Sequence, residues 1–278
     1  MSEEGSTDSE GQSRPSRKKR HTGRNFFLVL LLLVIIAGLY VYGSMAWFGP
    51  KDLGVKYTQK DYNDVVQKLE MHVSADLGNG ETFDNKEILA GNDDATGYTS
   101  TDAAKNLKMK DLSFTNYDWK FSNYQQKSIR VSNVEASAFF NEIAPAFWWF
   151  KDTQVKIAAD GTIITSSSAN IEKMKNDLFG DVAKFIPVSL PNKLNLYTEG
   201  DFSITNNKIN MTPTVMSSGT LSLPENLKSG SNLRTFSDYL ERFYTVIPDL
   251  KIDKAARDGN EFVFEGNIPT EVSITPKK

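Results

Sequence analysis

The sequence predicts an α+β protein: a single N-terminal transmembrane helix, then an antiparallel-sheet domain with short amphipathic helices packed on one face. Three observations predict it. Phe26 to Phe48 reads FFLVLLLLVIIAGLYVYGSMAWF, without one charged residue. From Leu112 onward, short runs alternate apolar and polar side chains, the period of a half-buried strand. Three stretches of the form S/T-x-x-D/E stand before apolar residues at helical spacing, the sequence signature of a capping box.

Composition narrows the function classes. The chain has 278 residues and a formal charge of −3, with no cysteine, so disulfides, thiolate metal sites and thiol nucleophiles are excluded. The charge is uneven. Residues 1–24 hold six basic residues (Arg14, Arg17, Lys18, Lys19, Arg20, Arg24) against four acids, which leaves 26 basic and 31 acidic residues beyond them. A mildly acidic domain is a poor partner for nucleic acid or for an anionic bilayer surface.

Four segments follow. Residues 1–24 read as a disordered basic cytoplasmic tail, because MSEEGSTDSEGQS has no apolar periodicity and RPSRKKRHTGR abuts the apolar run. Residues 26–48 read as the transmembrane helix. At ~1.5 Å per residue this run is long enough for a hydrocarbon core of ~30 Å. Basic residues before a span stay cytoplasmic, which places the N-terminus inside and the C-terminal domain outside the cell membrane. Ser44-Met45-Ala46 offers small residues at signal-peptidase spacing. The apolar part before Ser44 exceeds a secretory core of ~7–15 residues, however, and Trp47-Phe48 form an interfacial aromatic pair, so the run reads as a retained anchor. Gly49-Pro50 stops the helix.

Residues 49–110 read as a membrane-proximal helical and loop segment. Thr58-Gln59-Lys60-Asp61 is the first capping box, and Tyr62, Val65, Val66 and Leu69 behind it predict a helix from Gln59 to Glu70. Residues 74–106 are rich in turn signals. Asp84, Glu87, Asp93, Asp94 and Asp102 lack the calcium-loop spacing and read as a solvated acidic surface.

Residues 111–278 read as the α+β ectodomain. LSFTNYDWKF predicts one strand around a bulge and Lys127–Val131 another. Ser132-Asn133-Val134-Glu135 is the second box, opening a helix with Ala136, Phe139, Phe140 and Ile143 on one face that stops at Pro145. The aromatic group AFWWF at 146–150 follows. Asp160-Gly161 then turns a hairpin, read as type I′, and residues 169–179 have the spacing of a short helix. Residues 193–224 read as a meander punctuated by EGD, NN and SSG. Thr235-Phe236-Ser237-Asp238 is the third box, with Phe236, Tyr239, Leu240, Phe243, Tyr244 and Ile247 predicting a helix that ends before Pro248. The last hairpin turns at Asp258-Gly259-Asn260. Residues 126–165 and 219–268 share a strand–helix–hairpin plan, which suggests two similar lobes.

Ser132–Phe140 with Gln154–Thr165, together with Leu190–Leu223, behind one N-terminal span, resembles the exported tubular lipid-binding (TULIP-like, YpmS-like) proteins of bacteria. That resemblance implies a long curved antiparallel sheet wrapped round a helix, with an apolar groove for lipid tails.

Catalytic chemistry has little material. The histidines are His21 and His72, so neither a zinc-binding pair nor H-E-x-x-H exists, and there is no nucleophile elbow, P-loop or dinucleotide fingerprint. The reading is therefore a non-enzymatic structural or interaction module at the cell envelope, without cofactor or metal. The bilayer is its partner through residues 26–48, and a lipid or another envelope protein is a second partner. The alternative is an apolar-ligand binder. Phe139, Phe140, Trp148, Trp149, Phe236, Tyr239 and Phe243 are the candidate ligand or partner surface, against the plainer reading that helical aromatics pack on the sheet. Adjacent Trp148 and Trp149 cannot both face inward on a strand, since side chains alternate.

Overall fold

A computed structural model describes residues 49–78, 80–100, 112, 114, 116–142, 149–172, 192–241 and 246–278. By internal contacts the chain divides into 1–40 and 41–278, and every described residue belongs to the second unit. In chain order the elements are α1 (Gln59–Leu69), β1 (His72–Gly78), β2 (Glu81–Asp84), α2 (Lys86–Leu89), β3 (Tyr117–Val131), α3 (Asn133–Glu142), β4 (Phe150–Ile157) and β5 (Ile163–Asn170). Next come β6 (Lys193–Thr205), β7 (Lys208–Ser218), β8 (Leu221–Ser222), α4 (Gly230–Glu241), β9 (Lys251–Asp258) and β10 (Glu261–Pro276).

The fold is α+β with a mostly antiparallel sheet, built on two long strands. β10 pairs along one edge with β3, from Phe262↔Val131 to Pro276↔Tyr117. Its other edge is shared by β9 at 261–267 and by β1 at 271–274, the latter being the sheet's one parallel pairing among the described residues. β6 pairs with β7 from Leu196↔Ser218 to Thr205↔Lys208 on one edge. Its other edge takes β5 over 193–200 and β9 over 203–205. β9 therefore links the two long ladders.

Both ladders bend at glycines where backbone meets backbone. A Cβ on Gly200 would stand 2.3 Å from the Thr212 carbonyl oxygen, and one on Gly266 would stand 2.3 Å from that of Lys251. Each marks a register shift against its partner strand.

These bends explain where the sequence reading departs from the chain. Glu199-Gly200-Asp201 is a bulge inside β6, not a turn. The two-residue turn is Asn206-Asn207, both left-handed at φ 52° and 60° as a type I′ hairpin requires. At Asp160-Gly161 only Gly161 is left-handed (φ 89°); the loop runs Ala158–Thr162 and Asp160 Oδ1 accepts from Thr162 N at 2.9 Å, so it is not type I′. Residues 117–131 form one strand, not two, because Asn123 at φ 56° absorbs the kink without breaking the ladder. Residues 72–84, read as loop, form β1 and β2 and join the same sheet as β10.

The third capping box does not cap. Thr235 lies inside α4, which begins at Gly230 as the chain leaves the Glu225–Leu227 turn. Of the helix predicted over 169–179, Ala169 and Asn170 instead end β5, where they pair with Leu194 and Lys193; residues 173–179, the apolar run 26–48, Ile143, Trp148, Phe243 and Tyr244 lie outside the described residues. Among those described, no helix is long and apolar enough to cross a membrane.

Apolar packing forms several adjoining groups. Val73, Ala75, Phe83, Leu112, Val272 and Ile274 meet at the β1–β10 end. Val65 and Leu69 of α1 pack on Ile268, against Ile129 and Phe264. Ala136 of α3 meets Val155, Ile157 and Ile163. Leu240 of α4 meets Ile204, Ile209 and Ile252. At that helix's end Glu241 accepts from Ile209 N at 2.9 Å and pairs with Lys208 at 2.5 Å. Burial raises the Glu241 carboxyl, but these two bonds outweigh it and hold it below the usual range.

Candidate functional site

Of the predicted aromatic surface, Trp149 is buried and Phe139 and Phe140 are half-buried. Phe139 and Phe140 stand edge-to-face, ring centroids 5.8 Å apart. Phe139 packs against the α1 groups and Phe140 against Val155, Ile157 and Ile163. Trp149 is buried beside Phe150, Ala169 and Ile204. Phe236 and Tyr239 lie on α4. Of the predicted residues whose side chains are described, Phe139 and Phe140 adjoin each other and Trp149 belongs to a separate apolar group.

Polar groups do more of the positioning than the aromatics. α3 presents Asn133, Ser137 and Asn141 at i, i+4 and i+8 toward the outer edge of β4. Asn133 Oδ1 accepts from Ile157 N at 3.2 Å and Ser137 Oγ from Val155 N at 3.0 Å. Asn141 Oδ1 accepts from Thr153 N at 2.8 Å, while its Nδ2 donates to Thr153 O at 2.6 Å. The spacing works because four helical residues advance about 6 Å and two strand residues about 6.7 Å. The helix thus stands in for a neighbouring strand and seals an edge whose N–H groups would otherwise be open. This polar stripe was in the sequence, but a search for apolar periodicity passes over it.

The stretch after the apolar run 26–48 is fixed to the same strand. Gln154 Oε1 accepts from Leu53 N at 2.8 Å and from Val55 N at 3.3 Å, and Lys156 Nζ donates to Leu53 O at 3.3 Å. Tyr57 donates its hydroxyl proton to Glu142 Oε1 at 2.8 Å, and burial, then the bond to Glu142, pushes its pKa up. Lys51 Nζ sits 3.8 Å from the centroid of the Tyr197 ring, a cation–π contact. Leu53, Val55 and Tyr57 are half-buried and alternate with exposed neighbours, so this is an extended strip and not a loose linker. By register Gln154, Ser166 and Tyr197 share one face of β4, β5 and β6, and Ser166 is fully buried there.

At the near end of the strip lies a cavity of about 310 Å³, walled by Gly49, Lys51, Asn195, Leu196, Tyr197, Gly219 and Thr220. The Tyr197 hydroxyl donates to Glu199; burial and then that bond raise its pKa. A second concavity of about 820 Å³ lies among Asp76, Asp118 and residues 275–278, where β1, β3 and β10 end. Neither is walled by Phe139, Phe140 or Trp149.

The acidic residues do not assemble a cation site among the described residues. Asp93 pairs with Lys60 at 3.1 Å, and Asn63 Nδ2 pins that loop to α1 by donating to the carbonyls of Asp93 and Ala95. His72 meets Asp84 at 3.1 Å. Burial raises the Asp84 carboxyl, but the Lys86 N–H and His72 more than offset this and hold it low. Comparison with protein-family models, curated proteins and solved structures returns no match for this chain.

Proposed function

We propose that this chain is a single-pass membrane-anchored extracytoplasmic protein whose domain is a non-enzymatic interaction module at the cell envelope. One observation carries the reading: residues 51–57, which come just after the apolar run, are fixed to the domain by Tyr197 of β6, Gln154 of β4 and Glu142 of α3. The chain between the apolar run and the domain is thereby held on the sheet from Lys51 onward instead of forming a free linker. The packed state of Phe139, Phe140 and Trp149 favours this reading over an apolar-ligand groove lined by them.

The absence of cysteine makes the test clean. Single-cysteine variants Ser6→Cys and Thr205→Cys are exposed, in intact cells, to a membrane-impermeant maleimide. Thr205→Cys is expected to label at once and Ser6→Cys only after lysis. The reverse pattern overturns the proposed orientation.

A further inference from the structure

We infer that the end of the sheet carrying Asn195, Tyr197 and Thr220 faces the phospholipid headgroups of the outer leaflet, held there by the docked strip. This rests on the anchored reading above and adds to it which surface meets the membrane.

Reach decides the matter. A free linker from Phe48 to Thr58 would extend as far as ~35 Å and leave the domain able to turn in any direction. Lys51 is instead fixed over Tyr197, and Leu53 and Val55 are fixed on Gln154. Only the links between Phe48 and Lys51 remain, at most ~11 Å of chain, and Pro50 stiffens one of them. Gly49 itself walls the cavity that Tyr197 and Thr220 line. The polar layer of one leaflet is ~6 Å deep, so a surface within that reach of the membrane end of the anchor lies in or against it.

Charges of both signs are mixed at this end, so the placement rests on reach. Lys51 and Lys193 are exposed at this end, beside the exposed Thr220. The facing acids are Asp52, whose carboxylate accepts from Gly54 N, Glu199, which accepts from the Tyr197 hydroxyl, and the exposed Glu172, two residues beyond Asn170, the register partner of Lys193.

The test uses the full chain in phosphatidylcholine–phosphatidylglycerol vesicles, with a fluorophore on a single cysteine and a lipid carrying a nitroxide on its headgroup. Thr220→Cys reports the proposed surface. Thr205→Cys is the reference, nine residues along β6 from Leu196 and so ~30 Å away along the strand. Fluorescence at Thr220→Cys is expected to fall severalfold while that at Thr205→Cys holds. In a Lys51→Ala, Gln154→Ala background the Thr220→Cys signal should recover. Equal quenching at the two positions, or none at Thr220→Cys in vesicles that retain the chain after an alkaline wash, overturns this inference alone. Unchanged quenching in the double variant overturns the docked strip as its cause. Loss of the chain in the wash overturns the anchored reading, and this inference with it.

Discussion

Helices α1 and α3 begin alike and pack unalike. Thr58 and Ser132 open them with the same reciprocal box. The cap residue's backbone N–H donates to the third-residue carboxylate at 2.7 Å in each, and the return bonds are 3.4 and 3.3 Å. Beyond the cap, α1 buries Tyr62, Val65, Val66 and Leu69, an apolar stripe against sheet and neighbouring helix. α3 buries Ser137 and Asn141 beside Ala136 and Ala138, because it lies along a strand edge as well as over a face. A face wants apolar side chains, and an edge wants donors and acceptors at strand spacing. Lys68 and Glu135, 2.6 Å apart, tie the two helices together.

The contrast is breakable by substitution. Asn141→Leu extends the apolar stripe of α3, so a face-only account expects gain. The edge account expects a loss of about 3 kcal/mol in chemical denaturation, because a buried N–H and C=O of Thr153 lose their partners. Val66→Ala, fully buried in α1, is expected to cost about 2 kcal/mol through the cavity it leaves. Ser137→Ala orphans one N–H, that of Val155, and should cost about 1.5 kcal/mol. Removing either cap, Thr58→Ala or Ser132→Ala, is expected to cost about 1 kcal/mol, equal in the two helices because the cap device is the same. A Ser137→Ala protein as stable as the parent would remove the distinction between the helices.

That same distinction governs what could be read from residues alone. The four apolar positions of α1 were legible in full, since cap, period and burial all point one way. The hairpin signals at Asn206-Asn207 and Asp258-Gly259 were legible too. Gly200 and Asn123 were not, because a bulge and a turn use the same residue types, and only the partner strand decides between them. β1 and β2 stayed hidden because β1 pairs with β10, nearly two hundred residues away, a contact that no local window contains. The strip at 51–57 carries the period-2 alternation of Leu53, Val55 and Tyr57, but nothing in it says where it docks. Its anchor is a glutamine in β4, and a single Gln among alternating residues is ordinary. The aromatic clusters drew attention to α3 and α4, yet Phe139 and Phe140 hold elements together, and the docking contacts fall to Lys51, Gln154 and Tyr197.

Amide hydrogen exchange at Leu53 and Val55, in the membrane-reconstituted full chain, tests the docked strip most directly. The account predicts slow exchange at both, comparable with residues of β4, and a return to fast exchange in Gln154→Ala while Thr153 and Val155 stay protected. Exchange at unprotected rates in the parent protein would contradict it, since the domain would then hang on a free linker.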